Sequence, residues 1–406
     1  MRRAGFQGLA AAAFLMLLLV LGTGSQMCLA QQPESDNPVI IGAVISLTGR
    51  DSVFGKESLD GMRIAVDEAN LQGGIDGRLV RLEVYDDRSD PILAAEGVRV
   101  LTRDYKPTVI LGSNTSMVTS AAAVAAQNVE VPLVVPEATN PAITSIGDWI
   151  FRVCFVDPDM ASALATFAYK DLKLRKVAIL MEEQHDYTLS LARYFKRRFR
   201  ELGGEVCLQM GYMAGETKFT DPLKQIREHK ADAILVSGFY AEAAEILAAA
   251  KANKMKVTFL GGDAWEADEF FAMAGDAVTK DSHIYVASHF SPDLQRVKVR
   301  GFVAAFEERY NRRPNTSSAL GYDACAVAIA AIAHSKDATP AAVKDALADI
   351  HFEGVTGQID IGTDRSTRKP VIIMQATPDK RFSYVESISH NEMQPAEQPA
   401  GESAQP

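Results

Sequence analysis

The chain is poor in the groups that mark most catalytic and metal-binding proteins. Its 406 residues include four cysteines, two tryptophans and seven histidines. The histidines are scattered without ligand spacing, so neither a metal nor a cofactor is expected. There is no Gly-x-Ser-x-Gly nucleophile elbow, no His-Glu-x-x-His and no tight cluster of histidine with acids. The stretch Gly49–Lys56 approaches a phosphate-binding loop, but five residues separate its glycines where four are needed, and Glu57 stands in place of the Ser/Thr. These absences argue against an enzyme. Basic charge is also short, with 42 Lys+Arg against 52 Asp+Glu and a net charge of −10, which argues against nucleic acid or an anionic membrane surface as partner.

Long apolar runs are missing except at the N-terminus. Met1-Arg2-Arg3, the apolar stretch from Leu9 to Leu21 and the small residues Cys28 and Ala30 follow the order of a secretory signal peptide. Cleavage is expected after Ala30, giving an exported, periplasmic and soluble chain. Loss of Arg2 and Arg3 would take the net charge from −10 to −12. Acylation of Cys28 is the alternative, but Ser25-Gln26-Met27 matches a lipobox poorly. Cys154, Cys207 and Cys325 would then remain, an odd number in which at least one thiol stays unpaired within a monomer. Their neighbours are mostly apolar, so packing is their expected role.

From Pro38 onward, short apolar runs alternate with segments of helical period. Val39–Leu47, Leu79–Tyr85, Thr108–Gly112 and Val131–Val135 read as strands, with helices over Glu57–Leu71, Pro91–Asp104 and Ser116–Asn128. The rhythm restarts after Phe155-Val156-Asp157-Pro158, with strands at Lys176–Met181, Glu205–Tyr212, Ala233–Ser237 and Thr258–Leu260 separated by helices. Unbroken apolar strands between helices imply parallel sheets covered on both faces. The fold class is therefore α/β, with two doubly wound lobes. Residues from about Ser389 are rich in Pro, Glu, Gln and Ala and read as a disordered tail.

In such sheets ligands sit beyond the carboxyl ends of the strands. Small polar residues gather at those ends here: Thr48–Gly55, Ser113–Ser116, Glu137–Pro141, Glu182–Tyr187, Phe239–Glu242 and Gly262–Trp265. The junction Gly112-Ser113-Asn114-Thr115-Ser116, before an Ala-rich helix, poses a specific question. It could be an ordinary cap, or a helix N-terminus whose N–H groups and hydroxyls converge on an anion.

Taken together, Thr48-Gly49 with Phe54-Gly55, Glu68-Ala69-Asn70 with Gly73-Gly74-Ile75, Asp86-Asp87, Pro136-Glu137-Ala138-Thr139 and Gly321-Tyr322-Asp323-Ala324 resemble the Leu/Ile/Val-binding protein family over about residues 38–388. These are type I periplasmic solute-binding proteins of branched-chain amino acid ABC transporters. The resemblance implies two lobes joined by a three-strand hinge, with a small ligand, expected to be an amino acid, held in the cleft between them. The first lobe would take 38–155 plus 289–350 and the second 156–288 plus 351–388. Carried over by position, Ser116 and Thr139 face the ligand carboxylate and Asp263 its ammonium. Glu137 stands where a small residue is common, and Tyr187 and Phe239 match cleft aromatics. Phe54, Trp265 and Tyr322 are candidates for the pocket wall. ABC transporter permease subunits are the implied partners, and a monomer the implied state. A ligand-sensing receptor of the same fold, or a binder of an amide, urea or aromatic acid, is the alternative.

Overall fold

The computed structural model describes residues 37–393. The expected leader, Cys28 and the tail beyond Met393 lie outside the described residues. The first lobe is built on a five-stranded parallel sheet in the order β2-β1-β3-β4-β5. Its strands are β1 (Val39–Ile45), β2 (Val80–Asp86), β3 (Val109–Gly112), β4 (Leu133–Val135) and β5 (Ile150–Arg152). Helices α1 (Ser52–Leu71), α2 (Pro91–Asp104) and α3 (Ser116–Val129) connect the first four strands. Along β1, Val39, Ile41, Ala43 and Ile45 enter one core while Val44 enters the other. This alternation is what a sheet covered on both faces requires.

The second lobe repeats the plan with seven strands in the order β14-β13-β10-β9-β8-β6-β7. Strands β6 (Lys176–Glu182), β7 (Glu205–Tyr212), β8 (Ala233–Ser237), β9 (Thr258–Gly261) and β10 (Ile284–Ser288) run parallel. Helices α4 (Asp157–Lys170), α5 (Asp186–Glu201), α6 (Thr220–Glu228), α7 (Tyr240–Ala252) and α8 (Asp268–Ala274) cover them. Val177 and Ile179 of β6 pack into one core, Ala178 and Leu180 into the other.

After β10 the chain returns to the first lobe through α9 (Val297–Tyr310), α10 (Thr316–His334) and α11 (Pro340–Ala348). Helix α10 is apolar and long enough to cross a bilayer, but much of it is buried inside the fold. It crosses α1 at backbone contact. A Cβ on Gly61 would meet the Ser318 carbonyl, and one on Gly321 the Ser58 carbonyl, so only glycine lets the two helices approach this closely. This crossing sets the N-terminus of α10 against the loops that follow β3 and β4.

The structure departs from the sequence reading in several places. The three-residue strand β5 was not anticipated. The second sheet is mixed, because β13 (Val371–Thr377) and β14 (Arg381–Ile388) add an antiparallel pair at its edge. Gln358–Asp360 does not join either sheet; as β12 it pairs with β11 (His351–Glu353) in a two-stranded ribbon. Ile359 of that ribbon packs into the first lobe's core with Ile350, so the chain stays with the first lobe through the ribbon rather than leaving it at His351. The tail also starts later than expected. Residues His390–Met393 form a short helix, α12, that packs on α4 with Met393 buried.

Candidate functional site

Side-chain caps occur at the starts of α2, α10 and α11. Asp90 accepts from the Ile92 and Leu93 amides at the start of α2, and Asn315 with Ser318 forms a capping box on α10. Helices α3, α5 and α7, which follow β3, β6 and β8, begin without any side-chain cap. At α3 the small polar residues all turn elsewhere. Ser113 donates to Asp87 (2.7 Å), Asn114 to Glu137 (2.8 Å) and Thr115 to Asp51 (2.8 Å). The Ser116 hydroxyl oxygen accepts from the Asn140 amide at 3.3 Å, which leaves its own proton available. The cap reading of this junction therefore fails, and an uncapped N-terminus carries partial positive charge. Gly112 makes the turn possible. It sits at φ 135, and a Cβ there would run into the Val44 carbonyl.

Asn114, Thr115 and Ser116 open on a cavity of about 30 Å³, room for roughly two or three waters. Its wall is made by Phe54, Asn114, Thr115, Ser116, Glu137, Ala138 and Thr139 from the first lobe, and by Tyr187, Phe239, Asp263 and Ala264 from the second. Seven sequence-predicted residues thus come together: Phe54, Ser116, Glu137, Thr139, Tyr187, Phe239 and Asp263. The other two, Trp265 and Tyr322, do not reach the wall, contrary to the sequence expectation. Trp265 is fully buried in the second lobe's core, stacked on Phe270 at 5.6 Å. Tyr322 packs against Phe302 and donates to Glu68 at 2.6 Å between α10 and α1. Asp263 and Trp265, two positions apart in one short turn, point to different sides, so the carboxylate reaches the cavity and the indole the core.

Asp263 is held from two directions. Tyr187 donates its hydroxyl to Oδ1 at 2.8 Å, and His289 Nε2 lies 2.9 Å from Oδ2. Burial, with Asp263 beside it, pushes the Tyr187 phenol far above its ordinary value, so it stays a neutral donor. Burial lowers the His289 pKa despite the Asp263 contact, which favours neutral imidazole with its proton on Nε2. His289 also stacks on Phe155 with ring centroids 3.5 Å apart. Both residues lie on segments that pass between the lobes, so the carboxylate is tied to the hinge. Each carboxylate oxygen keeps a second lone pair for a ligand donor.

Glu137 has a comparable setting. It accepts from Asn114 Nδ2 and, at 2.6 Å, from Ser317 near the N-terminus of α10. Burial, with Asp263 and Asp51 nearby, raises its pKa to about 7. Asp157, at the first passage between lobes, is likewise raised to about 7 by burial.

The lobes also meet at the cleft mouth. Arg50 makes a two-pronged contact with Glu182, at 3.2 and 2.7 Å, and lies 4.7 Å over the Phe239 ring. His185 Nδ1 approaches Glu182 Oε1 at 2.6 Å. Burial alone would raise the Glu182 pKa, but the His185 and Arg50 contacts outweigh it and the net shift is downward. Phe54 packs 6.3 Å from Phe239 and 6.1 Å from Tyr240. Sequence reasoning missed the Arg50 clasp and His289. Asn114 and Thr115 were within reach, since the polar run at 113–116 already marked the junction. Among the described residues, no group of His, Cys, Asp and Glu is arranged to hold a metal ion, and Cys154, Cys207 and Cys325 are unpaired.

Comparison with known proteins identifies the family and the fold. The sequence model of the family described as periplasmic binding protein matches residues 38–381. The chain is 25% identical over 354 residues to the Leu/Ile/Val-binding protein homolog 1 of Brucella abortus, covering 86% of this chain and 93% of that protein. Among solved structures it is similar to a leucine-binding protein, LivK, from Thermotoga maritima, with a TM-score of 0.81 at 28% identity, covering 87% of this chain and 99% of the other. LivJ, a branched-chain amino acid transporter substrate-binding protein from Streptococcus pneumoniae solved with isoleucine, matches with the same TM-score, identity and coverage.

Proposed function

The chain belongs to the periplasmic binding protein family, in the branch of the Leu/Ile/Val-binding proteins, and from that premise we propose that it captures an amino acid in the interlobe cleft and delivers it to an ABC transporter permease outside the cytoplasm. One observation carries the reading. An uncapped helix N-terminus with the Ser116 hydroxyl, and the Asp263 carboxylate, face one cavity from opposite lobes. The first set suits a carboxylate and the second an ammonium, so a single zwitterion would bridge the lobes. Thr139 adds a hydroxyl on the carboxylate side, while Phe54, Tyr187 and Phe239 supply the apolar wall.

The cavity holds far less than an amino acid, so entry requires the lobes to part, by a hinge motion through the segments that pass between them. Solute binders of this family are not catalysts, and the ligand leaves unchanged. A thermal-shift screen of the twenty amino acids, with aromatic carboxylates alongside, tests the proposal. A ligand that binds only the native state must raise the melting midpoint, so at least one amino acid is expected to do so and to be recovered intact. No shift with any amino acid, or turnover of the one that shifts, would refute it.

A further inference from the structure

The same cleft carries information about the ligand's side chain. The wall beside the carboxylate-binding end has spent its donors internally: Thr115 Oγ1 on Asp51, Asn114 Nδ2 and Ser317 Oγ on Glu137. Its acceptors remain. Asn114 is 3% exposed, lines the cavity, and its Oδ1 has no hydrogen-bond partner. Ionised Glu137 can only accept, which fixes the amide with nitrogen toward Glu137 and oxygen outward. The Glu137 carboxylate stands beside it on the same cavity wall and is buried. Arg50 is the nearby cation, and it is committed to Glu182 and Glu242. A buried carbonyl without a donor is costly, and an aliphatic side chain would leave it so.

We infer that Asn114 and Glu137 form a polar subsite that selects an amino acid whose side chain ends in N–H donors, an amide or a cationic nitrogen, over aliphatic ones. The inference rests on the proposed amino-acid binding. Asn114 Oδ1 and the Glu137 carboxylate both open on the cavity, so a group with two or three N–H bonds satisfies them where a single hydroxyl cannot. Asp263 stays with the α-ammonium.

Calorimetry at pH 8, where Glu137 is ionised, tests this with near-isosteric pairs: asparagine against leucine, glutamine against methionine, lysine against norleucine. The tightest ligand is expected to bear a side-chain N–H group and to bind roughly tenfold or more tighter than its isostere, the ratio for one hydrogen bond to a charged or buried acceptor. In Asn114→Leu and, separately, Glu137→Ala, the ratio should fall toward one while the melting midpoint shows both variants folded. The wild-type ratios stand alone if either variant does not fold. A tightest ligand with an aliphatic, aromatic hydrocarbon or single-hydroxyl side chain overturns the inference but leaves the proposed function intact. Binding of no amino acid overturns both.

Discussion

Replacing Arg50 by Ala tests whether the two lobes are clasped at the cleft mouth. The guanidinium spans the lobes with two bonds to Glu182, whose side chain is fully buried, while the side chain of Arg50 is 35% exposed. An exposed pair would contribute about 0–1 kcal/mol, and breaking a fully buried one about 3–5 kcal/mol. This pair is half of each kind, and Glu182 keeps its His185 contact when Arg50 is lost. The stacking of Arg50 on Phe239 adds about 0.5–1 kcal/mol. An overall loss of about 1–2 kcal/mol from the closed state follows, equivalent to roughly 5- to 30-fold weaker ligand binding. The loss should appear mainly as faster dissociation, because the clasp forms only once the lobes have met. Stopped-flow dissociation of the bound amino acid measures it. Lobe folding does not depend on the clasp, so the melting midpoint of the ligand-free protein should barely move. An unchanged dissociation rate would refute the clasp, and a large drop in ligand-free stability would show that Arg50 supports folding instead.

Two further outcomes can be measured on the ligand-free and liganded protein. Glu137 and Asp157 are both raised to about 7 by burial, so the native state holds protons that the unfolded chain has lost. Their stabilisation is full below the ordinary carboxyl value and gone above about pH 7. Glu137 faces the Asp263 and Asp51 carboxylates, and Asp157 faces Asp263 together with the Arg152 cation. Lowering pH from 8 to 6 should therefore raise the urea midpoint, by an amount equivalent to about 1.4 kcal/mol per group and about 2–3 kcal/mol for the pair, and Glu137→Gln with Asp157→Asn should flatten the slope. A midpoint that falls on acidification contradicts this. Solution scattering should show a smaller radius of gyration at saturating ligand than without it, and identical profiles would contradict hinge closure.

The alternation of strands and helices was legible because buried parallel strands are unbroken apolar runs, and such runs as Ala233–Ser237 stand out from any helix. Strand β5 was not, since three residues carry no period. The site was legible where its residues follow a strand directly, as Ser116 follows β3 and Asp263 follows β9. It failed where the side chain's direction decides. Trp265 lies two residues from Asp263, but its turn drives the indole into the core. Tyr322 sits on a face of α10 that meets α9 and α1. Arg50 and Glu182 are 132 positions apart, and no local pattern links them. His289 gave no signal either, because its partners Phe155 and Asp263 reach it only through the tertiary fold.

The central claim is that one amino acid is gripped by both lobes, with its ammonium on Asp263. Titration calorimetry of the wild type, Asp263→Asn and Ser116→Ala with the amino acid found by screening tests it most directly. Losing a buried charged hydrogen bond costs about 1.5–3 kcal/mol, so Asp263→Asn should bind roughly 10- to 150-fold more weakly. Ser116→Ala removes one donor among several and should lose less. The asparagine keeps the shape that Tyr187 and His289 pack around, and an unchanged melting midpoint would show that the fold survives. If Asp263→Asn binds the amino acid as tightly as the wild type, or if the same acid without its amine binds equally well, the ammonium does not sit on Asp263 and the two-lobed grip is contradicted.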